Sequence, residues 1–186
     1  MCTLISSTKR ITVSLICLLF SLHVNAKSNT EQAGDLLQYA IPLISFSSTL
    51  LIEDNEQEHY TGSIAFIKSA FTAQLSALAL KKSINAQRPN GECCDSFPSG
   101  HTTLAFMGAS FIQFRYGLKY AIPAYVAASY VGYSRVHTNK HYTRDVVAGA
   151  VVGVLSSYIF TEKYHGVAIT PYAYNKEFGI QINADF

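Results

Sequence analysis

Residues 134–145, SRVHTNKHYTRD, combine side chains that can bind an anion and transfer a proton. Arg135 can hold an anion through its guanidinium group, and His141 can attack an electrophile or shuttle protons near neutral pH. Asp145 follows His141 by four residues, about one helical turn. Taken alone the stretch is ambiguous, because the same residues could form a polar helix start or one face of a metal site.

Two earlier segments carry groups of the same kind. Lys81 and Arg88 lie seven residues apart before Pro89, so both can face one side of a helix. Ser99 and Gly100 open an apolar segment after a turn-rich loop, and the start of a helix offers backbone N–H groups to an anion. Separately, each segment has an ordinary explanation, either a basic helix end favoured by the helix dipole or a cap followed by a turn.

Together, the three segments suit a phosphate ester, whose two negative charges require several cations and backbone donors. In order, they resemble the three signature motifs of the type 2 phosphatidic acid phosphatase (PAP2) superfamily. The motifs are KKSINAQRP with Lys81 and Arg88, PSGH ending at His101, and SRVHTNKHYTRD with Arg135, His141 and Asp145. All the motif positions occur in the expected order, which makes the resemblance specific.

The resemblance implies a role for each motif residue. His141 would be the nucleophile and form a phosphohistidine, and Asp145 would orient its ring and stabilise the positive charge. His101 would act as general acid on the leaving alcohol and then activate water. The implied phosphate-binding residues are Lys81, Arg88, Ser99, Gly100 and Arg135. This scheme requires no metal and no cofactor.

Three alternatives compete with this interpretation. His137, His141 and Asp145 lie at four-residue steps, which can build a metal site on one helical face. The surplus of basic residues around them favours an anion instead. Vanadate-dependent haloperoxidases have a similar site but are generally much larger proteins. A non-enzymatic helical membrane protein would leave the complete set of polar residues unexplained.

The N-terminus predicts a secretory signal peptide over residues 1–26. Lys9 and Arg10 precede an apolar region at residues 11–24, and Val24-Asn25-Ala26 resembles a cleavage site. An uncleaved anchor helix is the alternative. The mature protein would then work in the periplasm or in the inner membrane, with its active site facing the periplasm. Cys93 and Cys94 lack metal-type spacing, so no catalytic role is assigned to them.

The remaining pattern predicts the elements that position these residues. We expect an all-α, PAP2-type bundle of about five to six helices over residues 27–163, and a tail at 164–186 containing a short β-hairpin or an extended segment. Residues 27–35 are interpreted as a polar leader, residues 36–52 as a helix kinked or broken at Pro42, and residues 53–59 as a solvated acidic connector. Further apolar helices are expected at residues 60–87, 102–114, 121–133 and 146–160.

The composition and the lengths of the apolar runs indicate which kinds of molecule the protein binds. The net charge of +2 is too small to indicate nucleic-acid binding. The apolar runs are shorter than the roughly 20 residues of a membrane span, yet their small residues suit close helix packing in lipid. We therefore expect a membrane-associated enzyme acting on a lipid phosphate: phosphatidate, phosphatidylglycerophosphate, undecaprenyl diphosphate or a lipid A phosphate. The alternative is a soluble periplasmic acid phosphatase acting on many small phosphate esters.

Overall fold

The computed structural model describes residues 28–53, 56–164, 167–174 and 177–184. Within them the chain forms helices α1 (Asn29–Leu51), α2 (Glu56–Ile84), α3 (Gly100–Tyr116), α4 (Leu118–His137) and α5 (Thr143–Phe160), then strands β1 (Val167–Tyr174) and β2 (Glu177–Ala184). The predicted helical bundle is confirmed. The strands pair antiparallel, with Val167 opposite Ala184. The predicted signal peptide lies outside the described residues.

Helix α3 is the centre of the bundle. It contacts each of the other four helices. Its side chains are buried along most of its length, and Met107 and Phe111 are fully buried. The N-terminal end of α3 is the predicted anion-binding helix start, so the bundle is built around the element that begins at the candidate site.

Helix α5 packs against α3 through glycine and serine. A Cβ atom on Gly153 would lie 2.4 Å from the carbonyl oxygen of Thr103 and 2.8 Å from the backbone nitrogen of Met107. One turn further along α5, the Ser157 hydroxyl donates a hydrogen bond of 2.9 Å to the Met107 carbonyl oxygen. The two backbones can approach this closely only because α5 has no bulky side chain on this face.

Helices α2 and α5 place small residues inside and large apolar residues outside. On α2 the buried residues are Gly62, Ala65, Ser69, Ala73 and Ala77. The large residues of the same helix, Ile67, Phe71, Leu75 and Leu78, are each more than half exposed. Helix α5 repeats this arrangement. So many exposed large apolar side chains are rare on a soluble monomer, whereas small residues at helix contacts are typical of proteins in lipid.

Within the part of the chain that the structure describes, two helices, α2 and α5, are long and apolar enough to cross a membrane. The apolar runs in the sequence underestimated helix length because the helices continue into polar residues at their ends. Helix α1 begins at Asn29, where the Ser28 hydroxyl caps it by accepting a 3.2 Å hydrogen bond from the Glu31 N–H. The prediction of a polar leader was therefore wrong. The helix also continues through Pro42 rather than breaking there.

A buried ion cluster closes the bundle at the C-terminal end of α3. The Arg115 guanidinium donates to Glu53 Oε1 at 2.9 Å and to Glu58 Oε2 at 2.6 Å, and the Tyr116 hydroxyl donates to Glu53 Oε1 at 2.8 Å. Arg115 and the Glu53 side chain are almost completely buried. The expected solvated acidic connector is thus partly internal, because Glu53 pairs with an arginine that no sequence pattern connects to it.

We predict that Gly153→Ala destabilises the bundle. The added Cβ would meet α3 backbone atoms, so the free energy of unfolding should fall by about 1–3 kcal/mol despite the higher helix propensity of alanine. The measurement is unfolding in detergent micelles followed by circular dichroism. The matched control is Val151→Ala, on the exposed side of the same helix, with an expected change below about 0.5 kcal/mol. Equal stability of Gly153→Ala and wild type would contradict this packing.

Candidate active site

The three motif segments meet at one cleft of about 510 Å³. Four of the predicted site residues line it: Arg88, His101, Arg135 and His141. The other lining residues are Glu31, Asp35, Gln38, Tyr39 and Lys140. The remaining predicted residues lie around this cleft rather than on its lining. Lys81 reaches the start of α3, where its Cε atom would be 3.9 Å from a Cβ on Gly100, and its ammonium group donates to the Asp95 carbonyl oxygen.

The orientation of the His141 ring is set by the loop before α3. His141 is 3% exposed, and its Nδ1 lies 2.7 Å from the carbonyl oxygen of Ser96. Because a carbonyl oxygen only accepts hydrogen bonds, Nδ1 must carry the proton. In the neutral ring the lone pair then lies on Nε2, which is the tautomer needed for nucleophilic attack.

Asp145 is linked to His141 mainly through Ser96. Its Oδ2 accepts hydrogen bonds from the Ser96 hydroxyl at 2.5 Å and from the Tyr142 N–H at 3.0 Å. Oδ2 lies 3.7 Å from His141 Nδ1, which is too long for a hydrogen bond but close enough for a charge interaction. The predicted ring-orienting function of Asp145 would therefore act through Ser96, a residue that sequence reasoning missed among the turn-forming residues of the loop.

His141 is electrostatically suited to remain neutral. Burial lowers its pKa to about 4, and the positive charges of Lys81 and Arg88 act in the same direction. The Ser96 hydrogen bond and the Asp145 charge oppose this shift without cancelling it. At neutral pH the ring is therefore unprotonated and its Nε2 lone pair is available.

Arg135 is held in place by α1 and by its own helix. It donates to Asp35 Oδ1 at 2.8 Å, to the Glu31 carbonyl oxygen at 3.0 Å and to the Ser134 hydroxyl at 3.1 Å. Among the described residues these bonds use three of its five N–H groups, which leaves two for an anion in the cleft. The partners on α1 were missed because residues 27–35 were interpreted as a polar leader.

Arg88 is paired with two acidic residues of the following loop. Its Nε and Nη2 donate to the two carboxylate oxygens of Asp95 at 2.8 and 3.1 Å, and Nη1 lies 3.4 Å from Glu92. Burial favours the protonated form of Asp95, but the hydrogen bonds and charge of Arg88 outweigh burial and lower the pKa of this carboxyl group. Lys140 also lies 3.7 Å from Glu92. The acidic loop thus holds two cations at the mouth of the cleft.

The start of α3 is fixed by Ser99. Its hydroxyl accepts from the Thr102 N–H and hydroxyl, and its N–H donates to the Asp145 carbonyl oxygen at 2.9 Å. Ser99 is fully buried, so its visible function is to cap α3, and its contact with phosphate stays a prediction. His101, in the first turn, is one-third exposed, and its Nε2 lies 3.1 Å from Asp35 Oδ1.

The geometry does not favour the metal alternative. His137 ends α4 and stacks on Tyr133 with ring centroids 5.3 Å apart, while the helix is interrupted before Thr143. His137, His141 and Asp145 therefore do not share one helical face. Across the described part of the chain, no three His, Cys, Asp or Glu side chains are grouped to hold a metal ion. The cleft instead brings arginine and lysine side chains around a neutral histidine, an arrangement suited to an anion.

We predict that the pKa of His141 lies far below that of an ordinary histidine. In detergent micelles, ¹³C-histidine NMR should give a midpoint near pH 4 for the signal that disappears in His141→Gln. The free energy of unfolding should fall as the pH drops from about 6.5 towards 4, because the unfolded chain then binds a proton that the folded chain does not. A midpoint at or above 6.5 would contradict the buried, cation-flanked environment.

Comparison with known proteins agrees with the sequence motifs. The family model of the PAP2 superfamily matches residues 62–167. Over 145 residues the chain is 28% identical to the lipid A 4'-phosphatase of Helicobacter pylori, covering 72% of this chain and 70% of that protein. Over 78 residues it is 41% identical to the lipid A 1-phosphatase of Porphyromonas gingivalis, which covers 40% of this chain but only 18% of that protein.

The fold is also that of a solved structure. The crystal structure of Aquifex aeolicus LpxE superimposes with a TM-score of 0.58 at 21% identity, covering 77% of this chain and 92% of that chain. The family model covers more than half of the 186 residues and includes all three motif segments. The chain therefore belongs to the PAP2 superfamily and is a phosphatase, a phosphoric ester hydrolase.

Proposed function

We propose that the protein removes a phosphate group from a membrane lipid, without a metal ion, through a phosphohistidine at His141. The observation that carries this proposal is the hydrogen bond from His141 Nδ1 to the Ser96 carbonyl oxygen. It fixes the Nδ1–H tautomer, so the lone pair of the neutral ring lies on Nε2, in a cleft lined by Arg88 and Arg135. A neutral imidazole beside guanidinium groups is suited to attack a bound phosphate.

In the first step His141 Nε2 attacks phosphorus and the bond from phosphorus to the leaving oxygen breaks. His101 transfers its proton to that oxygen, so an alcohol leaves and His141 becomes a phosphohistidine. In the second step the now neutral His101 takes a proton from water as the oxygen of that water attacks phosphorus. The N–P bond breaks, and inorganic phosphate and neutral His141 are released. A diphosphate would follow the same steps, with phosphate as the leaving group.

The cations stabilise the charge that spreads over the phosphoryl oxygens in the transition state. Arg135 is the best placed of them, because α1 and α4 fix its guanidinium before substrate binds. Arg88 is paired to Asp95 and Glu92, so it can transfer hydrogen bonds from these carboxylates to an incoming phosphate. Lys81 and the first backbone N–H groups of α3 add positive potential behind the phosphate.

A lipid substrate is supported by the outer surface of the bundle. Large apolar side chains cover the exposed faces of α2 and α5, and both helices could span a bilayer. The relatives from H. pylori and P. gingivalis are lipid A phosphatases, so a lipid A phosphate is the first substrate to test. Phosphatidate, phosphatidylglycerophosphate and undecaprenyl diphosphate are the comparison substrates. We propose that the cleft faces the periplasm, in keeping with the predicted signal peptide.

We predict that His141→Ala abolishes phosphate release from lipid A and from phosphatidate, a loss of at least about 10³-fold, because the nucleophile is gone. EDTA should leave the wild-type rate unchanged. When the wild type reacts with ³²P-labelled substrate and is quenched rapidly without acid, a labelled phosphoprotein should be found that is stable in base and labile in acid. The variant should not form it. Residual activity in His141→Ala, or loss of wild-type activity in EDTA, would contradict the mechanism.

A second prediction concerns the membrane. In cell fractionation the protein should stay in the pellet after a carbonate wash, because the apolar faces of α2 and α5 are shielded by lipid. Extraction should require detergent. A periplasmic marker protein and an integral membrane marker provide the two controls. Complete release with the periplasmic marker would instead support the soluble acid phosphatase of broad specificity.

A further inference from the structure

The carboxylate of Asp35 joins two residues of the proposed mechanism. Its Oδ1 accepts a hydrogen bond of 2.8 Å from Arg135 Nη1 and lies 3.1 Å from His101 Nε2. Asp35 belongs to α1, outside the segment at residues 62–167 that matches the family model. None of the three motif segments includes this residue, although it lines the same cleft.

Packing of α1 against α4 keeps Asp35 in this position. A Cβ atom on the neighbouring Gly34 would lie 2.0 Å from the Ser134 hydroxyl oxygen, so the two helices touch here with no space between them. One turn earlier, the Glu31 carbonyl oxygen accepts from Arg135 Nη2 at 3.0 Å. Asp35 thus follows directly after a turn of α1 that is held against α4, and its side chain is only 23% exposed.

A carboxylate in a phosphate-binding cleft repels the negatively charged substrate, so its presence there has to be explained by another function. Asp35 contacts the proton donor and a phosphate-binding guanidinium at once, through the same oxygen atom. A negative charge at that point favours the imidazolium form of His101 and restricts rotation of its ring. Both effects assist proton transfer to a leaving oxygen, and neither assists attack by His141.

We propose that Asp35 is a positioning residue that acts through His101, orienting its ring and stabilising its protonated form for transfer to the leaving oxygen. This inference rests on the proposed function. In the first step Nε2–H of the imidazolium donates to Asp35, and the Nδ1 proton goes to the leaving oxygen as its bond to phosphorus breaks. In the second step Nδ1 takes a proton from the attacking water, and the bond to Asp35 is kept throughout.

The test compares leaving groups in one protein preparation. Dioctanoyl phosphatidate has an alcohol leaving group that must be protonated as it departs. The leaving group of p-nitrophenyl phosphate is p-nitrophenolate, which departs without taking up a proton. Asp35→Asn keeps an acceptor for Arg135 but removes the charge. We expect it to lower kcat/KM on dioctanoyl phosphatidate by about 10–100-fold, part of the effect of a general acid, and on p-nitrophenyl phosphate by less than about threefold. Any misfolded, inactive protein lowers both kcat/KM values by the same factor, so it does not change their ratio.

Two further variants connect the effect to His101. His101→Asn should show the same dependence on leaving group, and adding Asp35→Asn to it should not change the ratio further, because the residue through which Asp35 acts is gone. Glu56→Gln, which removes a carboxylate at an exposed position in the first turn of α2, is the matched control and should retain both activities.

The outcomes separate this inference from the proposed function. An equal fall on both substrates in Asp35→Asn, or no fall on either, would overturn the inference while His141→Ala remains inactive. An additional change of the ratio in the double variant would also overturn it, because Asp35 would then act independently of His101. If His141→Ala kept its activity on both substrates, the phosphohistidine mechanism itself would fail, and Asp35 would lose its role together with it.

Discussion

The contact between α3 and α5 determines where the catalytic groups lie. Gly149 and Gly153 let the two backbones approach so closely that a Cβ on Gly149 would be 2.6 Å from the Ser99 carbonyl oxygen. This contact aligns the first turns of both helices, and the Ser99 N–H then reaches the Asp145 carbonyl oxygen. His101 at one helix start and His141 just before the other are brought to a common cleft. A bulkier residue at either glycine would separate them.

The interior of this bundle differs from that of a soluble helical protein. Its core contains alanine, glycine and serine, and several serine hydroxyls bond to carbonyl oxygens of their own or a neighbouring helix, as Ser45 does to Ile41 and Gly108. Such close contacts gain dispersion energy and interhelical hydrogen bonds without burying large apolar side chains. Apart from a few residues such as Met107 and Phe111, the large apolar side chains face the surroundings. The same distribution explains why periodic apolar residues of α2 predicted a helix correctly but pointed away from the core.

Much of the site was predictable because its chemistry lies in short motifs. Arg88, His101, Arg135 and His141 line the cleft as the resemblance implied, since motif spacing and helix geometry together fix which side chains converge. Asp35 and Ser96 were not predictable. Asp35 is a single carboxylate in a polar segment, and its partners are 66 and 100 residues away in the chain. Ser96 acts in part through its backbone carbonyl, which any residue type would provide.

The ends of the helices could not be predicted from the apolar pattern of the sequence either. Apolar periodicity detects the part of a helix that packs or faces lipid, so it missed the polar first turn of α1 and the buried Glu53 after its end. Pro42 signalled a break, yet the helix is continuous at this residue. In each case tertiary contacts that are distant in sequence outweigh the local signal.

The Arg115 cluster has a mechanical consequence for the enzyme. Helix α3 contains 17 residues and is about 26 Å long, with the cleft at one end and buried Arg115 at the other. Sliding α3 along its axis would separate Arg115 from Glu53, two charges with almost no access to water, at a cost of several kcal/mol. The cluster would therefore hold the helix start that carries His101 at a fixed height along the bundle axis, because Arg115 ties the other end of α3 to Glu53, just after α1, and to the first turn of α2.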